Sequence, residues 1–456
     1  MNRTTLFHLV FLAFILLSCN KEDNQLVADF SFTGGNCQAP CSVTFTNLSK
    51  SAVRYQWDFG DGLESEEPDP EHTFQYQGIY TVTLTAFDGK DREQEVSRSV
   101  TIGSGGDDFI TGMDLSYQSF LSGFNVHYFD ASGNAISNLF EFVRNNGVNL
   151  IRIRLFHTPA GGDAVVQSSN FANVLELCKQ VKATGNKVLL DLHYSDTWAD
   201  PGHQTVPAAW QGVSYEAIVD SVYQYTKGVL ERLDAQGALP DMVQIGNETN
   251  SGFLWTYGKV WNEFNNNWGH YAELINSANQ AVQDMEGQTG KTISTLVHVA
   301  GVSSQETFFD KLLAQNAEFD IIGLSYYSYY HTKDLQLVQS ELDKLSNKYN
   351  KPILIAETNY PWTLGWNDWT NNVVGLEEHL TPGYPATPEG QKAYYEKIVE
   401  ILKNVPGGNG LGFVYWAPDM VAFNGPESPE GSGFENLAVF DFTNKALPVF
   451  DVFRNY

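Results

Sequence analysis

Short runs in which every second residue is apolar dominate the chain from residue 27 to residue 102. Turn residues separate these runs, and the three-to-four-residue spacing of a helix does not occur in them. Strands with one face on a core and the other in water have this alternation, so the segment predicts a small β-sandwich. Residues 103–108, which are only Gly, Ser and Asp, follow as a flexible linker.

After residue 109 the pattern changes to short β-rich runs that alternate with amphipathic stretches. Eight runs predict strands: 110–115, 150–155, 187–192, 242–245, 292–297, 321–325, 353–356 and 412–415. Helical spacing marks the stretches 171–183, 215–233, 268–285 and 392–402. Eight such repeats predict a (β/α)8 barrel over 109–456. A doubly wound sheet is the alternative, but no Gly-x-Gly-x-x-Gly follows any predicted strand.

The amino terminus has the features of a targeting segment. Residues 6–17 are almost entirely apolar and lead into Cys19. We interpret 1–18 as a lipoprotein signal peptide, Cys19 as the lipid anchor and 19–26 as a tether. Residues 21–23 resemble a short tag that sends lipoproteins to the outer face. The sequence therefore predicts an outer-membrane lipoprotein that faces the cell surface, and no later run is long enough to predict a transmembrane helix.

The remaining cysteines are interpreted by their spacing and surroundings. Cys37 and Cys41 enclose three residues, and in an oxidising compartment this pair predicts a disulfide. Cys178 lies in an apolar helical pattern and predicts a buried helix residue.

Composition narrows the class of partner. The 27 Lys and Arg residues face 54 Asp and Glu residues, which gives a formal net charge of −27. Such a surface repels phosphate backbones, so nucleic acid is not an expected partner. Aromatic residues make up 13% of the chain. They favour neutral sugars, whose CH faces stack on rings, although core packing is the alternative explanation.

The carboxyl ends of the predicted strands are polar, and barrels carry their chemistry there. Glu248 and Glu357 each end an apolar strand, where an unpaired acid would be unfavourable. Two acids facing each other across a barrel mouth suit glycosidic cleavage. The alternative is that each is a structural acid paired with an arginine. Metal-dependent hydrolysis also competes, but the candidate ligands lack the spacing of a zinc site: Asp191, His193, Asp196 and His203.

Two resemblances to known families follow from motifs. Residues 57–62, 72–74 and 78–84 resemble the PKD family of immunoglobulin-like domains, which implies a spacer or a weak polysaccharide binder; we favour the spacer. Further motifs strongly resemble glycoside hydrolase family 53, the endo-β-1,4-galactanases: residues 112–116, 191–204, 245–249, 357–361 and 388–391.

The second resemblance implies retaining, endo-acting hydrolysis of galactan side chains of pectin by a monomer that needs no cofactor. A mannanase or cellulase of the same clan is one alternative, and a non-catalytic surface glycan-binding protein is another. Some relatives hold calcium in the loop after the seventh strand. Here residues 366–372 lack their acidic pattern, so structural calcium stays open and no metal ligand is assigned.

The family resemblance also implies roles for single residues. Glu248 is the expected acid/base, Glu357 the nucleophile, and Asn247 the group that binds the 2-hydroxyl. Arg154 and Tyr326 are expected to orient Glu357, although Arg152 could replace Arg154 and Tyr326 could be core. The other expected substrate-binding residues are Asp114, Asp191, His193, Asp196, His298 and Trp416, with four possible sugar platforms at Trp198, Trp210, Trp255 and Trp362.

Overall fold

The computed structural model describes residues 25–34, 41–74, 78–102, 109–261 and 267–456. The chain forms two compact units that divide at residues 105 and 106. The predicted lipid anchor at Cys19, the predicted linker and Cys37 lie outside the described residues, and so does the predicted disulfide between Cys37 and Cys41.

The first unit is a sandwich of two antiparallel sheets. Its strands are β1 (Phe30–Thr33), β2 (Cys41–Asn47), β3 (Arg54–Asp58), β4 (Glu64–Ser65), β5 (Glu71–Phe74), β6 (Gly78–Phe87) and β7 (Glu93–Ile102). One sheet has the order β1-β2-β5 and the other β4-β3-β6-β7. Trp57 is fully buried between them and packs edge-on against Phe30, with ring centroids 5.0 Å apart. The predicted β-sandwich is confirmed.

The second unit is built on a closed barrel of eight parallel strands. In chain order they are β8 (Ile110–Asp114), β9 (Leu150–Leu155), β10 (Lys187–Leu192), β11 (Met242–Ile245), β14 (Ser294–Ala300), β15 (Ile321–Ser325), β16 (Ile353–Thr358) and β17 (Gly410–Trp416). Each strand pairs with the next, and β17 pairs with β8 to close the barrel. A small hairpin follows β11 and consists of β12 (Gly252–Phe253) and β13 (Gly258–Lys259). The predicted (β/α)8 barrel is confirmed.

Helices connect the barrel strands. Within the described residues they are α1 (Gln118–Leu121), α2 (Leu139–Asn145), α3 (Ala164–Ser168), α4 (Phe171–Ala183), α5 (Tyr215–Asp234), α6 (Trp268–Thr289), α7 (Gln305–Leu313), α8 (Leu335–Tyr349), α9 (Pro388–Lys403) and α10 (Phe450–Asn455). Several begin at a side chain that accepts a hydrogen bond from the first turn, as Ser214 does for α5 and Thr387 for α9. Short 3-10 turns lie at Ala208–Trp210, Glu377–His379, Pro406–Gly408 and Glu435–Leu437.

The barrel interior has an apolar base and a polar layer above it. Seven strands contribute one residue each to the base: Ile110, Leu150, Leu189, Leu296, Ile321, Leu354 and Val414. Side chains on a strand return to the same face every second residue, so the positions two and four residues later also point inward. Most of these are polar, among them Asp114, Arg152, Asp191 and His298. The base therefore closes the barrel below, and the polar layer opens at the carboxyl ends of the strands.

No helix among the described residues is long and apolar enough to cross a bilayer.

Candidate active site

Glu248 reaches the barrel mouth through an unusual turn after β11. Gly246 has a φ of 81°, and a Cβ at this position would lie 2.7 Å from Cγ2 of Thr249. Only glycine fits this turn without strain. Glu248 itself has a φ of 46°, a conformation that non-glycine residues adopt mainly where the surrounding structure enforces it. The backbone conformation of Glu248 is thus locally unfavourable, and it places the carboxyl of Glu248 at the wall of a cavity.

Glu357 enters the mouth because the pairing of β15 with β16 is irregular. Leu324 is opposite Ile355, yet the next residue, Ser325, is opposite Glu357. One residue of β16, Ala356, is therefore skipped, as in a β-bulge, which re-aims the side chain that follows. Without this irregularity, the alternation that places Leu354 inside the barrel would turn Glu357 away from it.

Arg152 is the charged centre of the polar layer. It is 1% exposed, and its guanidinium contacts five side chains: Asp114 (2.7 Å), Glu357 (2.8 Å), Asp191 (2.8 Å), Asn247 (2.9 Å) and Gln244 (3.0 Å). A buried cation with this many acceptors is well satisfied, and removing it would leave buried carboxylates without a partner. Arg152 thus fixes Glu357 and ties three neighbouring strands to it.

A phenol completes the environment of Glu357. The hydroxyl of Tyr327 donates to Oε2 of Glu357 at 2.9 Å, while Arg152 contacts Oε1. Both carboxylate oxygens therefore have a donor, which stabilises the ionised form. Burial raises the pKa of Glu357, and Arg152 is the strongest influence that lowers it.

Glu248 has a different environment. Ser325 Oγ donates to its Oε1 at 2.6 Å, and no described cation contacts its carboxyl within salt-bridge distance. Burial and the negative charge of Glu357 raise the pKa of Glu248 to about 8. The two carboxyls are coupled, and because Glu357 has the guanidinium, the proton that they share belongs mainly to Glu248.

A neutral histidine lies behind Glu248. Nε2 of His298 is 2.9 Å from Ser325 Oγ, and its Nδ1 accepts from Gln244 at 3.0 Å. Burial lowers the pKa of His298 well below its ordinary value, so the ring carries no charge near neutral pH. The Ser325 hydroxyl can then accept from His298 and donate to Glu248.

Both carboxyls open on one cavity of about 190 Å³. It is lined by Arg152, Arg154, His193, Trp198, Ala199, Asp200, Asn247, Glu248, Glu357 and Trp416. A wider groove of about 600 Å³ shares three of these residues, Trp198, Asp200 and Trp416. The remaining walls of the groove are Tyr117, Thr197, His203, Thr205 and Phe434. The cavity and the groove therefore adjoin at these three shared residues.

Asn247 keeps one donor for a ligand. Its Oδ1 accepts from Arg152 at 2.9 Å, and one hydrogen of Nδ2 is donated to the carbonyl of Ala199 at 2.8 Å. The second Nδ2 hydrogen is left for a group in the cavity.

Glu248 after β11 and Glu357 on β16 thus form a pair of carboxyls above a closed parallel barrel. Residues 110–453 match the family model of glycosyl hydrolase family 53. The chain belongs to glycosyl hydrolase family 53. Residues 28–102 match the model of the PKD domain.

Relatives of the family-53 chain share most of their length with it. The arabinogalactan endo-β-1,4-galactanase of Cellvibrio japonicus (strain Ueda107) is 35% identical over 76% of this chain and 90% of that protein. The endo-β-1,4-galactanase of Bacillus subtilis (strain 168) is 30% identical over 76% of this chain and 86% of that protein. The solved structure of the Ignisphaera aggregans GH53 catalytic domain is 34% identical, covers 76% of this chain and 96% of its own, and superposes with a TM-score of 0.69.

The prediction that Arg154 and Tyr326 orient Glu357 needs correction, because neither residue contacts the carboxyl of Glu357.

 Arg154 follows Arg152 on the same inward face of β9, one layer nearer the mouth, and its guanidinium lies against the ring of Trp198 instead. Tyr326 points out of the barrel into the core, where its hydroxyl donates to the carbonyl of Thr332 at 2.8 Å. Arg152 and Tyr327 make the contacts that were expected of these two residues.

The four predicted sugar platforms divide into one groove residue and three that pack elsewhere. Trp198 lines both the cavity and the groove, as does Trp416. Trp210 is 8% exposed and packs on His157 and Tyr225, so it belongs to the core.

Trp255 and Trp362 also line neither space. The Trp362 ring packs against Phe442 with centroids 4.7 Å apart. The Trp255 ring has the ammonium of Lys259 3.6 Å from its centroid. The indole of Trp362 donates to the backbone carbonyl of Glu435, and the indole of Trp255 donates to that of Ser251. These hydrogen bonds fix each ring outside the cavity and the groove.

Three predicted binding acids support the site without lining the cavity. Asp114 and Asp191 are fully buried and hold Arg152. Asp196 braces a loop, since it accepts from the backbone amides of Thr158 and Ala208 at 3.0 and 2.8 Å.

The predicted histidines differ in their access to the cavity. His193 lines it, but both ring nitrogens have partners inside the protein: Nε2 lies 3.0 Å from Asp191, and Nδ1 accepts from the amide of Ala199. His298 is fully buried; it reaches the carboxyl of Glu248 through Ser325, and its Nδ1 accepts from the backbone amide of Glu248 at 3.4 Å.

Within the described ranges, no group of three or more His, Cys, Asp or Glu residues is arranged to hold a metal ion. In the loop after β16, Asp368 is buried and its carboxylate accepts from the amides of Thr370 and Ser432. Glu435 accepts from the amides of Asn367 and Asp368. The two acids therefore join the loops after β16 and β17 through backbone hydrogen bonds.

Three functional neighbours were missed from sequence: Ser325, Tyr327 and Gln244. A usable signal existed for all three. Counting every second residue from the basal Ile321 gives Ser325 and Tyr327 as inward-facing and Tyr326 as outward-facing. Along β11, Gln244 is two residues after the partly buried Met242, so it also faces inward.

Proposed function

We propose that this chain is an endo-β-1,4-galactanase that cleaves with retention of configuration. The observation that carries the proposal is the unequal pair of acids at the barrel mouth. Glu357 is held by Arg152 and Tyr327, whereas Glu248 has a pKa raised to about 8 and keeps a proton at neutral pH. Retaining glycosidases need one ionised nucleophile and one protonated acid, and this pair supplies both.

In the first half-reaction, Glu248 protonates the leaving glycosidic oxygen while Glu357 attacks the anomeric carbon. Arg152 and Tyr327 keep the attacking carboxylate in place with one donor on each oxygen. The free Nδ2 hydrogen of Asn247 is available to the 2-hydroxyl of the sugar at the cleaved bond. Positioned donors of this kind gain strength as charge develops at the sugar.

In the second half-reaction, Glu357 is esterified and its negative charge is gone. That charge is one cause of the raised pKa of Glu248, so glycosylation lowers the pKa of Glu248. Glu248 then acts as the base that takes a proton from the attacking water. One pair of carboxyls thereby serves both half-reactions, and the released sugar keeps the β configuration.

The substrate assignment is supported by the Cellvibrio japonicus and Bacillus subtilis relatives, two endo-β-1,4-galactanases that this chain matches over 86% or more of their length. The groove that continues from the cavity past Trp198 and Trp416 suits a polymer bound across the cleaved bond.

The purified protein should be assayed on β-1,4-galactan, mannan, cellulose and xylan, with Glu357→Gln as the inactive control. The proposal predicts cleavage of galactan alone, with a mixture of internal fragments before monosaccharide appears. Faster cleavage of mannan or cellulose would overturn the substrate assignment. No cleavage of any polymer by the folded protein would favour a glycan-binding protein.

We further propose that the protein is a monomeric outer-membrane lipoprotein that needs no cofactor, with the PKD-like domain as a spacer. The apolar run that leads into Cys19 is the observation that supports the lipid anchor. A Cys19→Ala variant expressed in a Gram-negative host should lose acyl labelling and leave the membrane fraction. Retention of labelled protein in that fraction would contradict the anchor.

A further inference from the structure

Gln204 is a buried side chain that donates to the turn carrying Glu248. It lies on the segment between β10 and α5 and is 2% exposed. Its Nε2 donates to the backbone carbonyl of Asn247 at 2.8 Å, to that of Asp200 at 3.0 Å and, at the longer distance of 3.4 Å, to that of Glu248. Among the described residues, no other group donates to the carbonyls of Asn247 and Glu248.

These two carbonyls report the backbone conformation of Glu248. The carbonyl of Asn247 belongs to the peptide group that rotates about the φ bond of Glu248, and the carbonyl of Glu248 belongs to the one that rotates about its ψ bond. The φ of Glu248 is 46°, which is unfavourable for a residue other than glycine unless its surroundings enforce it. A donor placed against both carbonyls holds both peptide groups, so Gln204 is positioned to enforce this conformation.

The backbone around Gln204 is itself well fixed. Its carbonyl accepts from the amide of Trp255 at 2.9 Å, and the next residue, Thr205, forms a β-bridge with Trp255. On the other side, Asp200 and His203 exchange two backbone hydrogen bonds. Asp200, His203 and Thr205 all line the groove. The side chain of Gln204 therefore connects one wall of the groove to the turn after β11.

The turn is also held just beyond Glu248, by contacts that do not involve Gln204. The amide and the hydroxyl of Thr249 donate to the carbonyl of His298 at 2.8 and 3.0 Å. Without the donors of Gln204, the buried carbonyl of Asn247 would lack a partner, which is unfavourable. Rotation of that peptide group towards another donor would then displace the carboxyl of Glu248 while the chain after it stays anchored.

We propose that Gln204 is a positioning residue for the acid/base. By donating to the carbonyls of Asn247 and Glu248, it keeps the carboxyl of Glu248 beside the leaving oxygen in the first half-reaction and beside the attacking water in the second. This inference rests on the proposed galactanase function. Glu357 ends a different strand and its carboxyl is held by Arg152 and Tyr327, so the nucleophile does not depend on Gln204.

The test compares Gln204→Met with the wild-type protein on galactan and on two aryl β-1,4-galactobiosides, one with a phenyl and one with a dinitrophenyl leaving group. Methionine is similar in length and volume but has no donor. We expect kcat/KM to fall by about 10- to 100-fold on galactan and on the phenyl substrate, because a displaced acid protonates the leaving oxygen poorly. On the dinitrophenyl substrate, whose leaving group needs little protonation, the fall should be less than about threefold.

The second half-reaction gives a separate readout. The dinitrophenyl substrate forms the glycosyl-enzyme without help from the acid, yet its kcat should fall in Gln204→Met, because Glu248 is also the base for water. Azide needs no base: its nitrogen bonds to the anomeric carbon while the bond to Glu357 breaks, and no proton is removed. Added azide should therefore raise kcat of the variant and release the β-galactobiosyl azide. A kcat that azide leaves unchanged would overturn the proposal.

Gln305→Met is the matched control. Gln305 is also buried, and its Nε2 donates to two backbone carbonyls, those of Ala300 and Gly301 at the end of β14. This variant should lose thermal stability, but the ratio of kcat/KM between the phenyl and dinitrophenyl substrates should stay at the wild-type value. If Gln204→Met likewise loses the same factor on both substrates, Gln204 has only a structural role and the proposal is wrong.

A second variant, Gln204→Glu, keeps the test decisive if methionine disturbs folding. It preserves the shape of the side chain and replaces the amide nitrogen by an oxygen that donates one hydrogen at most, and only when protonated. It should show the same dependence on the leaving group, whereas undiminished cleavage of galactan would overturn the proposal. Failure of the proposed function looks different, because the wild-type protein would then cleave neither galactan nor either galactobioside.

Discussion

Glu357 and Glu248 are the same residue type at the same barrel mouth, yet their surroundings differ in charge. Glu357 has a guanidinium on one oxygen and a phenol on the other. Glu248 has one serine hydroxyl, backed by a histidine that burial keeps neutral. The neighbours of each acid therefore determine which of the two carboxyls is protonated. Each of the following predictions changes one of the acids or one of their neighbours.

The largest effect is expected from removing the nucleophile. Glu357→Gln should fold and lose turnover by about 10⁴-fold or more, because the covalent step has no attacking carboxylate. Turnover on galactan and the melting temperature are the measurements, and added azide should restore a product of inverted configuration. Near-normal turnover in this variant would remove Glu357 from the mechanism.

Removing the acid should produce a loss that depends on the leaving group. Glu248→Ala should slow polymer cleavage by about 10²- to 10⁴-fold, the usual contribution of a general acid. An aryl galactoside with an activated leaving group needs little protonation and should be slowed much less in the glycosylation step. Equal losses on polymer and on the activated substrate would argue against an acid role.

Replacing the cation should change both activity and pH dependence. Arg152→Lys keeps the charge but cannot contact five acceptors, so we expect a loss of about 100-fold and a lower melting temperature. Arg152 lowers the pKa of Glu357, and weakening that contact raises it. The acid limb of the kcat/KM profile should therefore move to higher pH, while an unmoved acid limb would show that Arg152 does not set the charge of Glu357.

Two tryptophans in the segment between β10 and α5 should separate binding from stability. Trp198→Ala should weaken cleavage of long galactan by up to about tenfold more than of short fragments, since a ring contact is worth about 0.5–1.5 kcal/mol. Trp210→Ala should instead lower the free energy of unfolding by about 3–5 kcal/mol, because it leaves a cavity in the core. Kinetics on fragments of defined length and thermal unfolding distinguish the two, and a length effect at Trp210 would reverse their assignment.

The smallest effect is expected at the serine beside the acid. The hydrogen bond from Ser325 lowers the pKa of Glu248, so Ser325→Ala should raise it further above about 8. Glu248 must be protonated in the first half-reaction, and the alkaline limb of kcat/KM should move to higher pH with only a few-fold loss of rate. A limb that moved to lower pH would mean that Ser325 does not favour the charged form of Glu248.

The fold could be predicted from the sequence because the strands are short, apolar and bounded by clear turns. The predicted strands at Leu150–Leu155, Lys187–Leu192, Met242–Ile245 and Ile321–Ser325 have the bounds that the structure gives. At Ile353–Thr358 the prediction stopped at residue 356, and the two missing residues, Glu357 and Thr358, are those of the polar end. Polar residues weaken an apolar pattern even where the backbone remains in the strand.

The contacts within the site could be predicted only in part. Arg152 and Arg154 are two residues apart on one strand and share a face, so periodicity cannot say which of them reaches Glu357. Tyr326 and Tyr327 could have been separated by that same periodicity, counted from the base of the barrel. Glu357 itself reaches the barrel mouth because the strand pairing beyond Ile355 is irregular, and no pattern in the sequence predicts that irregularity. The predictions for Cys19 and Cys37 stay predictions.

In the proposed mechanism, one pair of unequal acids performs two displacements at the same carbon. A retaining mechanism needs the two carboxyls about 5–5.5 Å apart, whereas inversion needs about 6.5–9.5 Å to admit a water. The most direct measurement is an NMR time course of the anomeric protons at newly released galactan ends. If the mechanism is retaining, the β anomer should appear first and the α anomer only later, by mutarotation. Initial release of the α anomer would contradict it.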